Sequence, residues 1–149
     1  MQIQSFAAGP WQTNCYILSH GNSSECLIID PGMKAAGAVR DVVREHNLKP
    51  VAVLVTHGHI DHMWSVFPVA SGYGIPALVH GRDRDLLANP GLALSNETRL
   101  ALPTMMDKED VFADPEEVIE VNDKMNLQLA GFDLTIHHAP RSEEHTSEL

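Results

Sequence analysis

Short apolar segments separated by turn-forming residues make up the first part of the chain. Apolar runs at Ile3 to Ala7, Cys15 to Ser19 and Cys26 to Asp30 are separated by Gly9-Pro10 and by Gly21-Asn22-Ser23-Ser24. Runs of this length between turn residues are typical of β-strands joined by tight connections. The pattern predicts a small antiparallel meander.

The apolar spacing changes to a helical period after Asp30-Pro31-Gly32. The residues that recur at intervals of three or four are Ala35, Ala38, Val39, Val42 and Val43. This repeat ends at His46-Asn47 and Pro50, which are helix-terminating residues. We therefore predict a helix of about three turns after the meander.

A continuously apolar and β-branched run, Val51-Ala52-Val53-Leu54-Val55, leads directly into Thr56-His57. Such a run indicates a central strand covered on both faces. Beyond it, the pattern predicts a helix over 64–70, a strand over 75–79 and a short helix over 82–88. The alternation of strand and helix indicates an α/β fold.

The last third of the chain returns to strand patterning after an irregular stretch. Residues 90–114 mix Gly, Pro, Asn and acidic residues with Leu and Met, which predicts irregular structure flanked by short helix over a pocket mouth. Strands are expected over 118–121, 125–129 and 132–137, with Gly131 as a turn between the last two.

Composition and charge narrow the class of protein. With 149 residues, 44% of them hydrophobic and 20% charged, the chain has the composition of one globular domain. A formal charge of −10 disfavours a nucleic-acid partner and an anionic membrane surface, so a small-molecule substrate is expected. The N-terminus lacks the features of a signal peptide and no long apolar run occurs, which predicts a cytoplasmic protein.

The two cysteines, Cys15 and Cys26, fall on predicted neighbouring strands and do not cluster as in a disulfide scaffold or a four-cysteine zinc site. Buried free thiols are the expected state. The sequence holds no indication of oligomeric state.

The residues with the clearest chemistry are His57, His59, Asp61 and His62, directly after the predicted central strand. Extended backbone directs alternate side chains to one face, so His57 and His59 can bind the same ion, while Asp61 and His62 can face a second. Imidazole and carboxylate ligands suit zinc, manganese or iron, and no cysteine lies nearby. An open, catalytic metal site is predicted.

The alternative is that these are ordinary polar loop residues, with Asp61 capping a helix that begins near Trp64. At a histidine frequency of roughly 6%, however, three histidines and an aspartate at this spacing should arise by chance in about 0.2% of such chains. Chance therefore disfavours this interpretation.

The string from His57 to His62 resembles the H-x-H-x-D-H signature of the metallo-β-lactamase superfamily. Asn14-Cys15-Tyr16 and Asp30-Pro31-Gly32 are similar to the opening strands of its type II glyoxalase-like branch, and His137-His138-Ala139-Pro140 is similar to the start of its next ligand block. The resemblance covers residues 1–140. It implies the N-terminal half of the αββα metallo-β-lactamase sandwich, truncated.

The resemblance also implies a site. His57 and His59 would bind the first metal ion, and Asp61 and His62 the second, with two zinc ions expected and iron or manganese as alternatives. Asp30 would lie near the site and contact the ligands rather than the metal ions, although a turn residue before Pro31 is an equal alternative.

The implied activity is hydrolysis of an acyl thioester, such as a hydroxyacyl-thiol, by metal-bound hydroxide that the catalytic Asp61 orients. Other expectations are a sulfur dioxygenase, a lactonase or a β-lactamase on the same fold, or a metal-binding protein without catalysis.

The sequence departs from the family pattern after Pro140. Where the pattern has Gly-His-Thr, this chain has Arg141-Ser142-Glu143, and residues 141–149 resemble a translated sequencing adapter, a non-native tail. The alternative that His145 is the displaced ligand is disfavoured, because a three-residue shift moves a ligand by roughly 10 Å while metal bonds tolerate about 0.2 Å. We therefore expect residues 1–140 to be a partial domain, inactive as a fragment.

Overall fold

A computed structural model describes residues 1–140 of the chain. The strands are β1 (Gln2–Ala8), β2 (Thr13–Ser19), β3 (Glu25–Ile29), β4 (Lys49–Leu54), β5 (Ala77–His80), β6 (Val118–Val121), β7 (Asn126–Leu129) and β8 (Phe132–Thr135). The α-helices are α1 (Ala35–Glu45), α2 (Ile60–Met63), α3 (Val66–Tyr73) and α4 (Asn96–Met105), and two 3₁₀ helices cover Gly81–Leu86 and Pro90–Ala93.

Six strands form one sheet in the order β1-β2-β3-β4-β5-β6. The first three strands pair antiparallel, as predicted for the meander, whereas β3 to β6 pair parallel with helices in their connections. In parallel sheets of this kind, functional side chains collect beyond the carboxyl ends of the strands. Residues 57–62 follow the carboxyl end of β4.

The sheet is covered on both faces. Helices α1 and α3 pack on one face, where Val39 and Val53 are fully buried. The β7–β8 hairpin packs on the other, against Ala52, Leu78 and Val121. The central strand β4 therefore buries neighbouring residues on opposite faces, which confirms the predicted strand covered on both sides. The α/β architecture is likewise confirmed.

The helix predicted over 64–70 is present as α3 with its bounds shifted to Val66–Tyr73, and an additional short helix, α2, precedes it. The Ser65 N–H donates to the carbonyl of Pro31 at 2.9 Å instead of to the carbonyl of Asp61, so α2 ends before α3 begins at Val66. A one-turn helix thus carries Asp61 and His62. The helix predicted over 82–88 is a 3₁₀ helix that begins at Gly81.

Cys15 and Cys26 are free and buried, as expected. Within residues 1–140, no helix is both long enough and apolar enough to cross a membrane. The predicted tail, with His145, lies outside the described residues.

Candidate metal centre

The four predicted ligands lie together in the loop and short helix that follow β4. The ring centroids of His57 and His59 are 4.5 Å apart, and those of His57 and His62 are 4.2 Å apart. Asp61 faces the same region, with its Oδ2 atom 3.4 Å from His62 Nε2. The local chain therefore brings three imidazoles and one carboxylate into a single cluster.

Asp30 supports this cluster from the end of the neighbouring strand β3. Its side chain accepts three hydrogen bonds: from the Thr56 backbone N–H at 2.8 Å, from the Thr56 hydroxyl at 2.6 Å and from His62 Nδ1 at 2.9 Å. Asp30 is only 4% exposed and has a left-handed φ of +49°. It is more than a turn residue before Pro31, since its carboxylate contacts one of the predicted ligands.

These contacts orient two of the imidazole rings. A hydroxyl has one proton, and the Thr56 hydroxyl gives it to Asp30. The 3.0 Å contact between Thr56 Oγ1 and His57 Nδ1 then requires His57 Nδ1 to be the donor. With His62 Nδ1 donating to Asp30, both rings keep Nε2 unprotonated in their neutral forms and available to a metal ion.

Asp61 is held by a residue far away in the sequence. The Thr13 hydroxyl, at the start of β2, donates to Asp61 Oδ2 at 2.7 Å. Asp61 lies inside the first turn of α2, whose N-cap is His59, and Ser65 is the N-cap of α3. The interpretation of Asp61 as a helix cap is therefore wrong.

The cluster shifts the pKa of two histidines in opposite directions. Burial, helped by the neighbouring His62 and His59, lowers the pKa of His57 below its ordinary value. Burial also acts to lower the pKa of His62, but the hydrogen bond and charge of Asp30 and the charge of Asp61 outweigh it and raise that pKa. His57 is thus biased towards the neutral form that binds metals.

Two close approaches fix the backbone of the ligand segment. A side chain at Gly32 would press against the carbonyl oxygen of Asp61. A side chain at Gly58 would meet Leu86 and would lie 2.9 Å from Asp83 Cβ. The Gly58 N–H also donates to Asp83 Oδ2 at 2.9 Å. Glycine is therefore required at both positions for the loops to pack this closely.

An apolar cluster packs against the segment that carries the predicted ligands. Trp64 is 1% exposed, and its ring contacts Phe112 and Trp11 at centroid distances of 5.1 and 6.1 Å. The segment predicted as irregular contributes Leu94, Leu102, Met105 and Met106 to the same cluster, against Ile60 of α2. The prediction of irregular structure was wrong for Asn96–Met105, because Ser95 caps a ten-residue helix there. This segment therefore supports the helix that carries Asp61 and His62.

The donor chemistry of the cluster fits a divalent transition metal, because imidazole and carboxylate are the usual ligands of zinc and iron in open sites. Among residues 1–140, no three His, Cys, Asp or Glu side chains are arranged as one complete metal-binding group. The contacts of Thr13, Thr56 and Asp83 with this segment were not predicted from the sequence. Only Thr56 carried a local signal, since it directly precedes His57.

Comparisons with known proteins agree with this architecture. Residues 8–146 match the family model described as the Metallo-beta-lactamase superfamily. An uncharacterized protein of Mycobacterium leprae is 36% identical over 141 residues, which cover 94% of this chain and 62% of that protein. A hydroxyacylglutathione hydrolase of Citrobacter koseri is 28% identical over 135 residues, covering 76% of this chain and 52% of that enzyme.

The solved structure of the BLEG-1 B3 metallo-beta-lactamase is also similar, with 31% sequence identity and a TM-score of 0.74. The match covers 93% of this chain and 62% of that one, so the chain spans less than two thirds of the length of these relatives. The family match covers nearly the whole chain. The chain therefore belongs to the metallo-beta-lactamase superfamily.

Proposed function

We propose that residues 1–140 are part of a metal-dependent hydrolase that cleaves acyl thioesters. The observation that carries this proposal is the cluster at 57–62, in which Asp30 and Thr56 orient the His57 and His62 rings with Nε2 free. Polar residues of an ordinary surface loop do not require hydrogen bonds that fix the orientation of their rings. A metal site does require them, because such hydrogen bonds orient the ligands towards the ion.

The proposed ligands divide between two ions. His57 and His59 would hold one, and Asp61 and His62 the other, with zinc as the first choice and iron or manganese as alternatives. A bound divalent ion lowers the pKa of water towards about 7 and polarises a carbonyl oxygen. His57 contributes its neutral imidazole, which its lowered pKa favours.

The chain's own residues supply orientation. The Asp61 carboxylate accepts a hydrogen bond from the attacking water and directs it at the thioester carbonyl. Water adds to the carbonyl carbon, the carbon–sulfur bond breaks, and the products are a carboxylic acid and a thiol.

One observation supports a thioester as the substrate. The Citrobacter koseri relative is named for hydrolysis of a hydroxyacylglutathione. The formal charge of −10 disfavours nucleic acid and anionic membrane surfaces as partners, which favours a small-molecule substrate of any kind. Hydrolysis of β-lactams is a second candidate, favoured by the similarity to the B3 metallo-beta-lactamase structure.

The 149-residue chain itself is proposed to be an inactive fragment with a non-native tail at 141–149. The reading frame of the source gene should continue after Pro140 with Gly-His-Thr and, further on, an aspartate and a histidine that complete the site. Sequencing that gene tests the proposal directly. A continuation identical to residues 141–149 would contradict it.

Activity is tested on the protein encoded by the continued reading frame. We expect hydroxyacyl-thiol hydrolysis that disappears after exhaustive chelation, returns with added zinc, and is lost in His59→Ala. His46→Ala is the matched control, because His46 is exposed at the end of α1 and outside the cluster. Full turnover with no metal bound would refute the proposal, and turnover of β-lactams alone would favour the second candidate.

A further inference from the structure

We propose that Thr13 is a positioning residue for the metal centre, acting through Asp61. The inference rests on the proposed metal-binding role of the 57–62 cluster. Thr13 lies 48 residues before Asp61 in the chain, and its hydroxyl donates to Asp61 Oδ2 at 2.7 Å. The predicted ligand set does not include it, because its side chain supports a ligand rather than being one.

The geometry gives the Thr13 hydroxyl a specific task. Asp61 Oδ2, the atom that accepts its proton, also lies 3.4 Å from His62 Nε2. The hydrogen bond therefore holds the carboxylate beside the free nitrogen of His62. Without the donor, the carboxylate could rotate away, and the two groups would no longer face one ion together.

The surroundings of Thr13 make this arrangement rigid. Thr13 is 7% exposed and is fixed by antiparallel pairing with Ala8 of β1. On the other side, the carbonyl of Asp61 packs directly against Gly32. Asp61 is thus held at its backbone by one loop and at its carboxylate by β2. Partners that orient a metal ligand in this way typically contribute 10- to 100-fold in metal affinity.

The test measures Co²⁺ binding to the full 149-residue chain by equilibrium dialysis at micromolar protein concentration. Thr13→Val keeps the β-branched shape and removes the donor, and we expect it to bind Co²⁺ about 10- to 100-fold more weakly. Thr13→Ser keeps the donor and should stay within about threefold of the unmodified chain. Thr135→Val is the matched control, since the Thr135 hydroxyl bonds to Asn126 on the β7–β8 hairpin.

A second pair of variants guards against a folding defect in Thr13→Val. Thr13→Ser and Thr13→Ala differ only by the hydroxyl, so Ser should bind Co²⁺ at least tenfold more tightly than Ala. The visible absorption of bound Co²⁺ should change in Ala and persist in Ser, which a purely structural role would not produce. Equal affinities and spectra in Ser and Ala would overturn the role of Thr13. Failure of the unmodified chain to bind Co²⁺ even at millimolar concentration would instead overturn the metal centre.

Discussion

The Asp30→Asn substitution tests whether the ligand cluster depends on a single buried carboxylate. Asparagine has nearly the same shape as aspartate, but its amide nitrogen is a donor. If the amide oxygen faces the Thr56 N–H, its nitrogen meets two donors, the Thr56 hydroxyl and His62 Nδ1. If the amide flips, the backbone N–H of Thr56 loses its acceptor. Either orientation leaves at least one donor facing the buried side chain at position 30 without an acceptor.

The size of the effect follows from these contacts. Hydrogen bonds to a charged group contribute about 1.5–3 kcal/mol each, and at least one such bond becomes a donor–donor contact. Because Asp30 is 4% exposed and His62 is partly exposed, we expect a loss of about 3 kcal/mol in the free energy of unfolding. For a chain of this length the melting temperature should fall by about 6–12 °C.

The assay is urea unfolding of the metal-free chain, refolded at micromolar concentration and followed by circular dichroism. Asp41→Asn is the matched control, since Asp41 is an exposed carboxylate paired with Arg44 on α1. It should change stability by less than about 0.5 kcal/mol. Equal stability of Asp30→Asn and the unmodified chain would refute the supporting role assigned to Asp30.

Three further predictions concern pH, packing and solubility. The pKa of His62 is raised in the folded chain, so its stabilising contribution is complete below the unfolded pKa of about 6.5 and is lost as pH rises through the folded pKa. In the metal-free chain, His62→Gln should therefore lower the free energy of unfolding more at pH 6 than at pH 8.5. The lowered pKa of His57 has the opposite effect, because its stabilising contribution is present above about pH 6.5 and is lost as pH falls through the folded pKa. His57→Gln should therefore lower the free energy of unfolding less at pH 5 than at pH 8. If the loss of stability in urea unfolding were independent of pH for both variants, both predictions would be wrong. Gly32→Ala should destabilise the chain by about 1–3 kcal/mol, because the new methyl group presses on the Asp61 carbonyl. Gly21→Ala is the control and should be nearly neutral, since a methyl group there meets no atom within 4 Å. Equal effects of the two substitutions would count against this packing. The 149-residue chain should aggregate at high concentration, since the two-stranded β7–β8 sheet leaves its strand edges unpaired. Analytical ultracentrifugation measures this, and a monodisperse monomer would contradict the prediction.

The parts of the fold that sequence reasoning predicted are those specified by local patterns. The apolar run before Thr56 predicted β4, and the spacing from His57 to His62 predicted that these side chains lie together. The break between α2 and α3 was not predictable, because it arises from a hydrogen bond between Ser65 and Pro31, which are distant in the chain.

The residues that contact the predicted ligands also divide into one that the sequence predicted and others that depend on contacts between distant parts of the chain. The role of Asp30 followed from the family resemblance, and the structure adds the three hydrogen bonds that define it. Thr13 and Asp83 reach the ligand segment across 48 and 25 residues, through the order of strands in the sheet and the 3₁₀ helix after β5. No local spacing marks either residue, so only the three-dimensional arrangement could identify them.

The proposed metal centre requires that His57 and His59 bind a metal ion through their imidazoles. Zinc X-ray absorption spectroscopy of the zinc-loaded chain detects such ligands. We expect a nitrogen or oxygen shell at about 2.0–2.1 Å with imidazole outer-shell scattering, and loss of that scattering in the double variant His57→Ala/His59→Ala. A sulfur shell at about 2.3 Å, or a spectrum unchanged in the double variant, would show that these two imidazoles are not the ligands.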